Sequence, residues 1–204
     1  MSIKVIFING NIGSGKETTL KYLEESLTNR GIKVKTILEP VELWRESGML
    51  QRLYNGAFLE FQKYAITTRI DTINAKYQEA INENCKLVLV ETNPFVDLYV
   101  YSRTTLQNNY EYFEHWKNET QRLSFDFKKC DNLFIDVSPE VCLKRIEKRG
   151  RSEEKTVSLV YLQKLYYEHQ MLNQVLTPTV IHNDRNLYDN DELLSYMQFL
   201  TNKL

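Results

Sequence analysis

Five short apolar runs constrain this chain more than any other feature: residues 3–9 (IKVIFIN), 34–38, 86–90 (KLVLV), 132–136 (NLFID) and 179–182. Apolar residues pass through them almost without a break, whereas a strand with one wet face alternates. Each reads as a strand covered on both faces, the condition of a parallel sheet lying between helices. Between the runs, apolar residues recur at helical spacing, as in Leu20, Tyr22, Leu23 and Leu27, and again in Leu159, Leu162, Leu165 and Tyr166. Gly31 after Asn29 and Arg30 is a helix stop, and Ser138-Pro139 opens a helix over 140–148. The expected order is β-α-β-α-β-α-β-α-β, an α/β fold on a five-stranded parallel sheet. No repeat, low-complexity stretch or Pro/Gly-rich boundary divides the 204 residues, so a single domain over 1–204 is expected.

Composition excludes several classes of function. With 26 Lys and Arg against 27 Asp and Glu there is no basic excess for gripping a phosphate backbone, so no nucleic-acid partner is expected. No apolar run approaches the roughly 20 residues of a membrane-spanning helix. The first apolar stretch is of strand length and lacks the basic flank of a targeting segment, so no membrane partner and a cytoplasmic location are expected. Cys85, Cys130 and Cys142 are odd in number and without C-x-x-C spacing, which indicates neither a zinc site nor a disulfide framework.

Gly10-Asn11-Ile12-Gly13-Ser14-Gly15-Lys16 lies directly between the first strand and a helix, the context in which a G-x-x-x-x-G-K run cradles phosphate. Its glycines let backbone N–H groups turn toward an anion, the helix N-terminus adds partial positive charge, and the lysine reaches the outer phosphates. The next residue departs from the pattern. Glu17 stands where a Ser or Thr hydroxyl usually ligates Mg²⁺. A carboxylate can ligate the ion but sets negative charge beside the phosphates, and Thr18 offers an oxygen one residue on. Alternatively, Glu17 is simply a first-turn acid favoured by the helix dipole.

Other residues carry two readings each. Glu39, just past the second strand, is a base at the ligand-binding end of a parallel sheet or a solvated loop residue. Trp44 is a core aromatic or the wall of a stacking pocket. Gln62 is an exposed helix residue or a donor and acceptor for a base edge. Arg145 and Arg149 share one helix face with Arg151 just beyond it, a solvated basic end or an anion clamp that closes as a lid. Glu91, ending the third strand, faces the phosphate loop and is placed to hold Mg²⁺.

The loop at 10–16, the segment Glu39-Pro40-Val41-Glu42-Leu43-Trp44, the run Phe61-Gln62-Lys63-Tyr64, and Arg145 with Arg149-Gly150-Arg151-Ser152-Glu153-Glu154 occur in one order and spacing. In these motifs the chain resembles the deoxynucleoside kinase family of deoxycytidine, deoxyguanosine and insect deoxynucleoside kinases, and the likeness runs through nearly its whole length. The resemblance implies a P-loop kinase fold with an Arg-rich lid over about 145–154. It implies 5′-phosphorylation of deoxynucleosides by ATP or another nucleoside triphosphate with Mg²⁺, in nucleotide salvage, by a homodimer.

By the same resemblance, residues 10–18 with Arg145 and Arg149 bind the donor phosphates, and Lys16, Arg149 and Arg151 serve the transferring phosphoryl group. Glu39 accepts the 5′-hydroxyl proton, Trp44 walls the pocket, and Gln62 pairs with the base beside Arg69 and Asp97. That Arg–Asp pair implies deoxycytidine and purine deoxynucleosides over thymidine. Tyr54 and Glu154 hold the 3′-hydroxyl, and Glu91 and Thr18 hold the metal. After Glu91 the family carries Arg-Ser where this chain has Thr92-Asn93, which points to impaired catalysis unless another cation, such as Arg103 or Lys63, compensates for the missing guanidinium. Two further readings stand beside an active enzyme. One is a noncatalytic nucleotide-binding or assembly protein, which Glu17 and Thr92 favour; the other is a nucleoside monophosphate kinase, which the E-P-V-x-x-W, F-Q and R-S-E-E motifs oppose.

Overall fold

A computed structural model describes residues 3–184 and 189–204. Strands β1 (Lys4–Gly10), β2 (Val34–Ile37), β3 (Leu87–Glu91), β4 (Asp131–Asp136) and β5 (Thr179–His182) form one sheet in the order β2-β3-β1-β4-β5. Every neighbouring pair is parallel. Each strand lies within a residue of the run that predicts it. The connections are helical: α1 (Lys16–Thr28) after β1, then α2 (Val41–Glu46), α3 (Met49–Tyr54) and α4 (Phe58–Asn82) between β2 and β3. Between β3 and β4 come α5 (Pro94–Val96), a π-helical turn over Asp97–Ser102, α6 (Arg103–Leu106) and α7 (Tyr110–Thr120). Helices α8 (Pro139–Arg149) and α9 (Leu159–Leu176) lead to β5, and α10 (Asp191–Lys203) follows it.

Successive strand residues point to opposite faces, which explains why the runs read as continuously apolar. Ile6, Ile8, Leu89 and Leu133 face Leu20, Leu23 and Leu27 of α1, Ile146 of α8, and Leu193 and Met197 of α10. Val5, Phe7, Val88 and Val90 face Ile66, Ile70 and Ile73 of α4, with Tyr112 and Trp116 of α7. The fold is therefore a five-stranded parallel sheet with helices on both faces, α/β as expected. Burial of each such aliphatic side chain contributes roughly 1.5–3 kcal/mol, enough for the two layers to fix the sheet between them.

Local chemistry starts and stops the helices. Asn109, Ser158 and Asn190 accept hydrogen bonds from the N–H groups of Tyr112, Tyr161 and Leu193 at the N-termini of α7, α9 and α10. Pro139 sits in the first turn of α8 and Gly150 ends it at φ 68°. Because all strands run the same way, Gly10, Glu91, Asp136 and, two residues past β2, Glu39 gather at one edge of the sheet. Among the described residues, no helix is long and apolar enough to cross a membrane.

Candidate active site

The phosphate loop is braced from outside. Gly13 has φ +79°, and a Cβ there would lie 2.7 Å from the Cys142 carbonyl oxygen of α8, so only glycine fits this close approach. Asn11 donates to the Leu162 carbonyl at 2.9 Å and its side-chain oxygen accepts from Ile12 N–H at 2.8 Å, tying the loop to α9. Arg145 donates to the carbonyls of Ser14, at 3.1 Å, and Asn183, at 2.6 Å. It thus clamps the loop to the chain just after β5 while also lining the cleft. Lys16 is buried and its ammonium donates to the carbonyls of Gly10 and Asn11 at 3.2 and 3.3 Å.

Glu17 pairs with Lys21 one turn along α1, at 2.6 Å, with both side chains about half-exposed. The departure from the loop motif therefore adds a partnered carboxylate at the cleft rim, and its exposure keeps its field well screened. Thr18 is exposed at the same rim.

Beyond the loop opens a cleft of about 560 Å³. It brings together Ile12, Gly13, Gly15, Lys16, Glu17, Thr18, Glu39, Trp44, Tyr54, Gln62, Arg69, Glu91, Asp97, Arg145, Arg149, Arg151 and Glu154, every expected site residue except Gly10, Asn11 and Ser14, which form the loop behind it. At its floor one oxygen of Glu39, Oε1, accepts from Arg69 Nη2 at 2.8 Å and from the Thr92 hydroxyl at 2.6 Å. The Glu39 N–H donates to Glu91 Oε2 at 3.2 Å. Burial works against the charge on Glu39, but Arg69, Lys16 and the hydrogen bonds from Thr92 and Arg69 outweigh it and hold the carboxyl below its ordinary range. Glu91 goes the other way: burial and then the adjacent Glu39 push it up to about 7, against the pull of Lys16.

The guanidinium that meets Glu39 is that of Arg69. It lies on α4, bonded to Asp97 as well as to Glu39, and those two carboxylates keep it charged against burial. The cations named from sequence are elsewhere: Arg103 pairs with Glu168 at 3.4 Å and Lys63 with Glu111. Both sit on outer helix faces, because α4 and α6 turn those positions away from the strand ends.

The far wall is apolar. Trp44 packs edge-on to Phe61 at 5.5 Å, donates to Thr68 at 2.8 Å, and lies 5.5 Å from the Arg69 guanidinium carbon. It is both core and wall, so neither reading excludes the other. Gln62 is buried, as is Asp97, which burial pushes up to about 6 despite Arg69.

Over the mouth, Arg149 grips Glu154 through Nε at 3.1 Å and Nη2 at 2.6 Å, and Arg151 stands 3.6 Å from the same carboxylate. Glu153 pairs with Arg45 of α2 at 2.6 Å, joining this segment to the opposite wall. Sequence reasoning missed Arg45, which lacks any motif, and Tyr101 and Tyr161, which are among the residues lining the cleft. Tyr101 follows Asp97 by four residues in a helical stretch, a usable signal; Tyr161 had none.

The deoxynucleoside kinase family model matches residues 6–197. A fowlpox virus protein named probable deoxycytidine kinase is 30% identical over 179 residues, covering 82% of this chain and 70% of that protein. Mouse and human deoxycytidine kinases are 28% and 27% identical over 199 residues, 82% of this chain and 74% of theirs. The family's chemistry is phosphoryl transfer from a nucleoside triphosphate to a nucleoside, that of a nucleotide-binding transferase. The match runs from β1 into α10 and takes in every segment that lines the cleft: this chain belongs to the deoxynucleoside kinase family.

Proposed function

We propose that this kinase transfers the γ-phosphoryl group of ATP to the 5′-hydroxyl of a deoxynucleoside, releasing the 5′-monophosphate and ADP. The observation that carries the reading is Glu39, a carboxylate gripped by Arg69 and Thr92 at the floor of a cleft that also contains Lys16 and Gln62. Glu39 takes the proton of the 5′-hydroxyl as that oxygen bonds to phosphorus and the bridging bond to ADP breaks. Lys16 and the loop N–H groups hold the donor phosphates, and Arg149 and Arg151 swing from Glu154 onto the transferring group. Gln62 pairs with the base against Trp44, while Tyr54 and Glu154 meet the 3′-hydroxyl.

The donor set suits Mg²⁺. Glu91 has one oxygen on the Glu39 N–H and, among the described residues, no hydrogen bond on the other; Thr18 adds a hydroxyl at the rim. These are hard oxygen donors in the small number that Mg²⁺ takes beside phosphates. When bound, the ion neutralises charge on the phosphate oxygens.

Deoxycytidine and purine deoxynucleosides are the favoured substrates over thymidine, because Asp97 beside Arg69 offers an acceptor to an amino-bearing base. The enzyme works as one catalytic unit over 1–204, in cytoplasmic nucleotide salvage, as a homodimer. Exposed Tyr110 on α7 and Val175 on α9 leave apolar surface available for a two-fold contact.

The test is ATP-dependent phosphorylation of the four natural deoxynucleosides with Mg²⁺ varied and Glu39→Gln as the blank. Turnover of deoxycytidine or a purine deoxynucleoside, abolished in the blank, is expected. Thymidine as best substrate by kcat/KM removes the Asp97 argument. No turnover, with ligands still raising the melting temperature, replaces the enzyme with a nucleotide-binding protein on the same scaffold.

A further inference from the structure

Thr92 is a β-branched residue at φ +67°, a region such side chains avoid and glycine or asparagine readily enter. Backbone strain of this kind persists only where surrounding contacts over-determine the conformation, and it gathers at functional sites. Thr92 is 1% exposed. Its N–H donates to the Ile8 carbonyl of β1 at 3.0 Å, so the residue prolongs the β1–β3 register one step past the end of β3. Its hydroxyl then crosses to Glu39, 53 residues earlier in the chain, at 2.6 Å.

The placement on Glu39 is asymmetric. Thr92 and Arg69 both donate to Oε1, and among the described residues no hydrogen bond falls on Oε2. Two donors approaching one oxygen from β3 and from α4 fix the rotation of the carboxyl plane. Oε2 is left with its lone pairs uncommitted. The hydroxyl that reaches Glu39 thus belongs to a residue held at a strained positive φ.

We infer that Thr92 is a positioning residue: its hydroxyl, with Arg69, locks the Glu39 carboxylate so that Oε2 is the oxygen presented to the acceptor hydroxyl. This rests on the reading of Glu39 as the base. Thr92 touches no reacting atom itself; it acts through the orientation of Glu39, and a misplacement of even an ångström at a reacting group lowers rates steeply.

The test compares Thr92→Val, Thr92→Ser and Thr92→Gly with wild type and with Glu39→Gln, in steady-state phosphorylation of the best deoxynucleoside. Thr92→Val keeps shape and backbone strain but loses the donor. Thr92→Gly loses the donor and relieves the strain, so it stays folded if valine does not, as its melting temperature would report. Thr92→Ser keeps the donor. The expected result is a fall in kcat of about tenfold for Val and Gly, with KM for both substrates changed less than about twofold, and near wild-type turnover for Ser.

Wild-type kcat in Val and Gly, or a serine variant as slow as valine, overturns the inference. If Glu39→Gln is inactive in that outcome, only the positioning role falls; if Glu39→Gln turns over, the base assignment itself has failed.

Discussion

Two neighbouring carboxylates at the strand ends are driven apart in proton affinity. Glu39 faces Arg69, Lys16 and Thr92 and is held low, while Glu91 is buried against Glu39 and raised to about 7 from its ordinary 4.5. Below about pH 4.5, Glu91 is protonated folded and unfolded alike and its position costs nothing in charge. Between about pH 4.5 and 7 the unfolded chain gives up this proton while the folded state keeps it, so stability falls by on the order of 3 kcal/mol across that window and stays at the lower level above it. Glu91→Gln is therefore expected to unfold at higher temperature than wild type at pH 8, and at the same temperature at pH 4, while losing Mg²⁺-dependent turnover. Equal melting temperatures at pH 8 would contradict this. Motif spacing and the family likeness made Glu39, Gln62, Arg69 and Asp97 legible in the sequence itself. Thr92 was legible only as a departure, because nothing in a threonine following a strand announces a positive φ or a partner 53 residues away.

At the scale of elements, α8 and the 3₁₀ turn after it (Ser152–Thr156) carry the charged mouth of the cleft. Arg149 lies in the last turn of α8, where the helix dipole favours a cation, and Gly150 then reverses the chain so that Glu154 folds back onto it. In the proposed mechanism this arginine leaves Glu154 for phosphate oxygens. Arg149→Ala is expected to lower kcat about a hundredfold or more with a much smaller change in deoxynucleoside KM, and Arg151→Ala to do the same more weakly, since Arg151 stands farther from Glu154. Unchanged turnover in both would remove the lid. The helices around the core were readable from their apolar period. The break of the β2–β3 connection into α2, α3 and α4 was marked only by Gly48 and Gly56, both with positive φ. The π-helical turn at Asp97–Ser102 had no marker, because an extra residue in a helical turn alters geometry without altering composition.

For the whole molecule, the expectation that remains is assembly. Tyr110, Tyr167 and Val175 are each more than half exposed on outer helices, apolar positions that the second subunit of the proposed homodimer would cover. Light scattering should return twice 24.2 kDa; a value of 24.2 kDa itself would make the protein a monomer. The sequence by itself determined the layered α/β class, since continuous apolar runs require cover on both faces, and it determined the phosphate loop, since glycines and a lysine between strand and helix carry their chemistry locally. Only the tertiary structure decided the strand order β2-β3-β1-β4-β5, because apolar pattern records burial and not neighbours. It also decided that Arg69, rather than Arg103 or Lys63, meets Glu39. A guanidinium's partner depends on which helix face the packing turns inward, and that is settled only when α4 closes over the ends of β2 and β3.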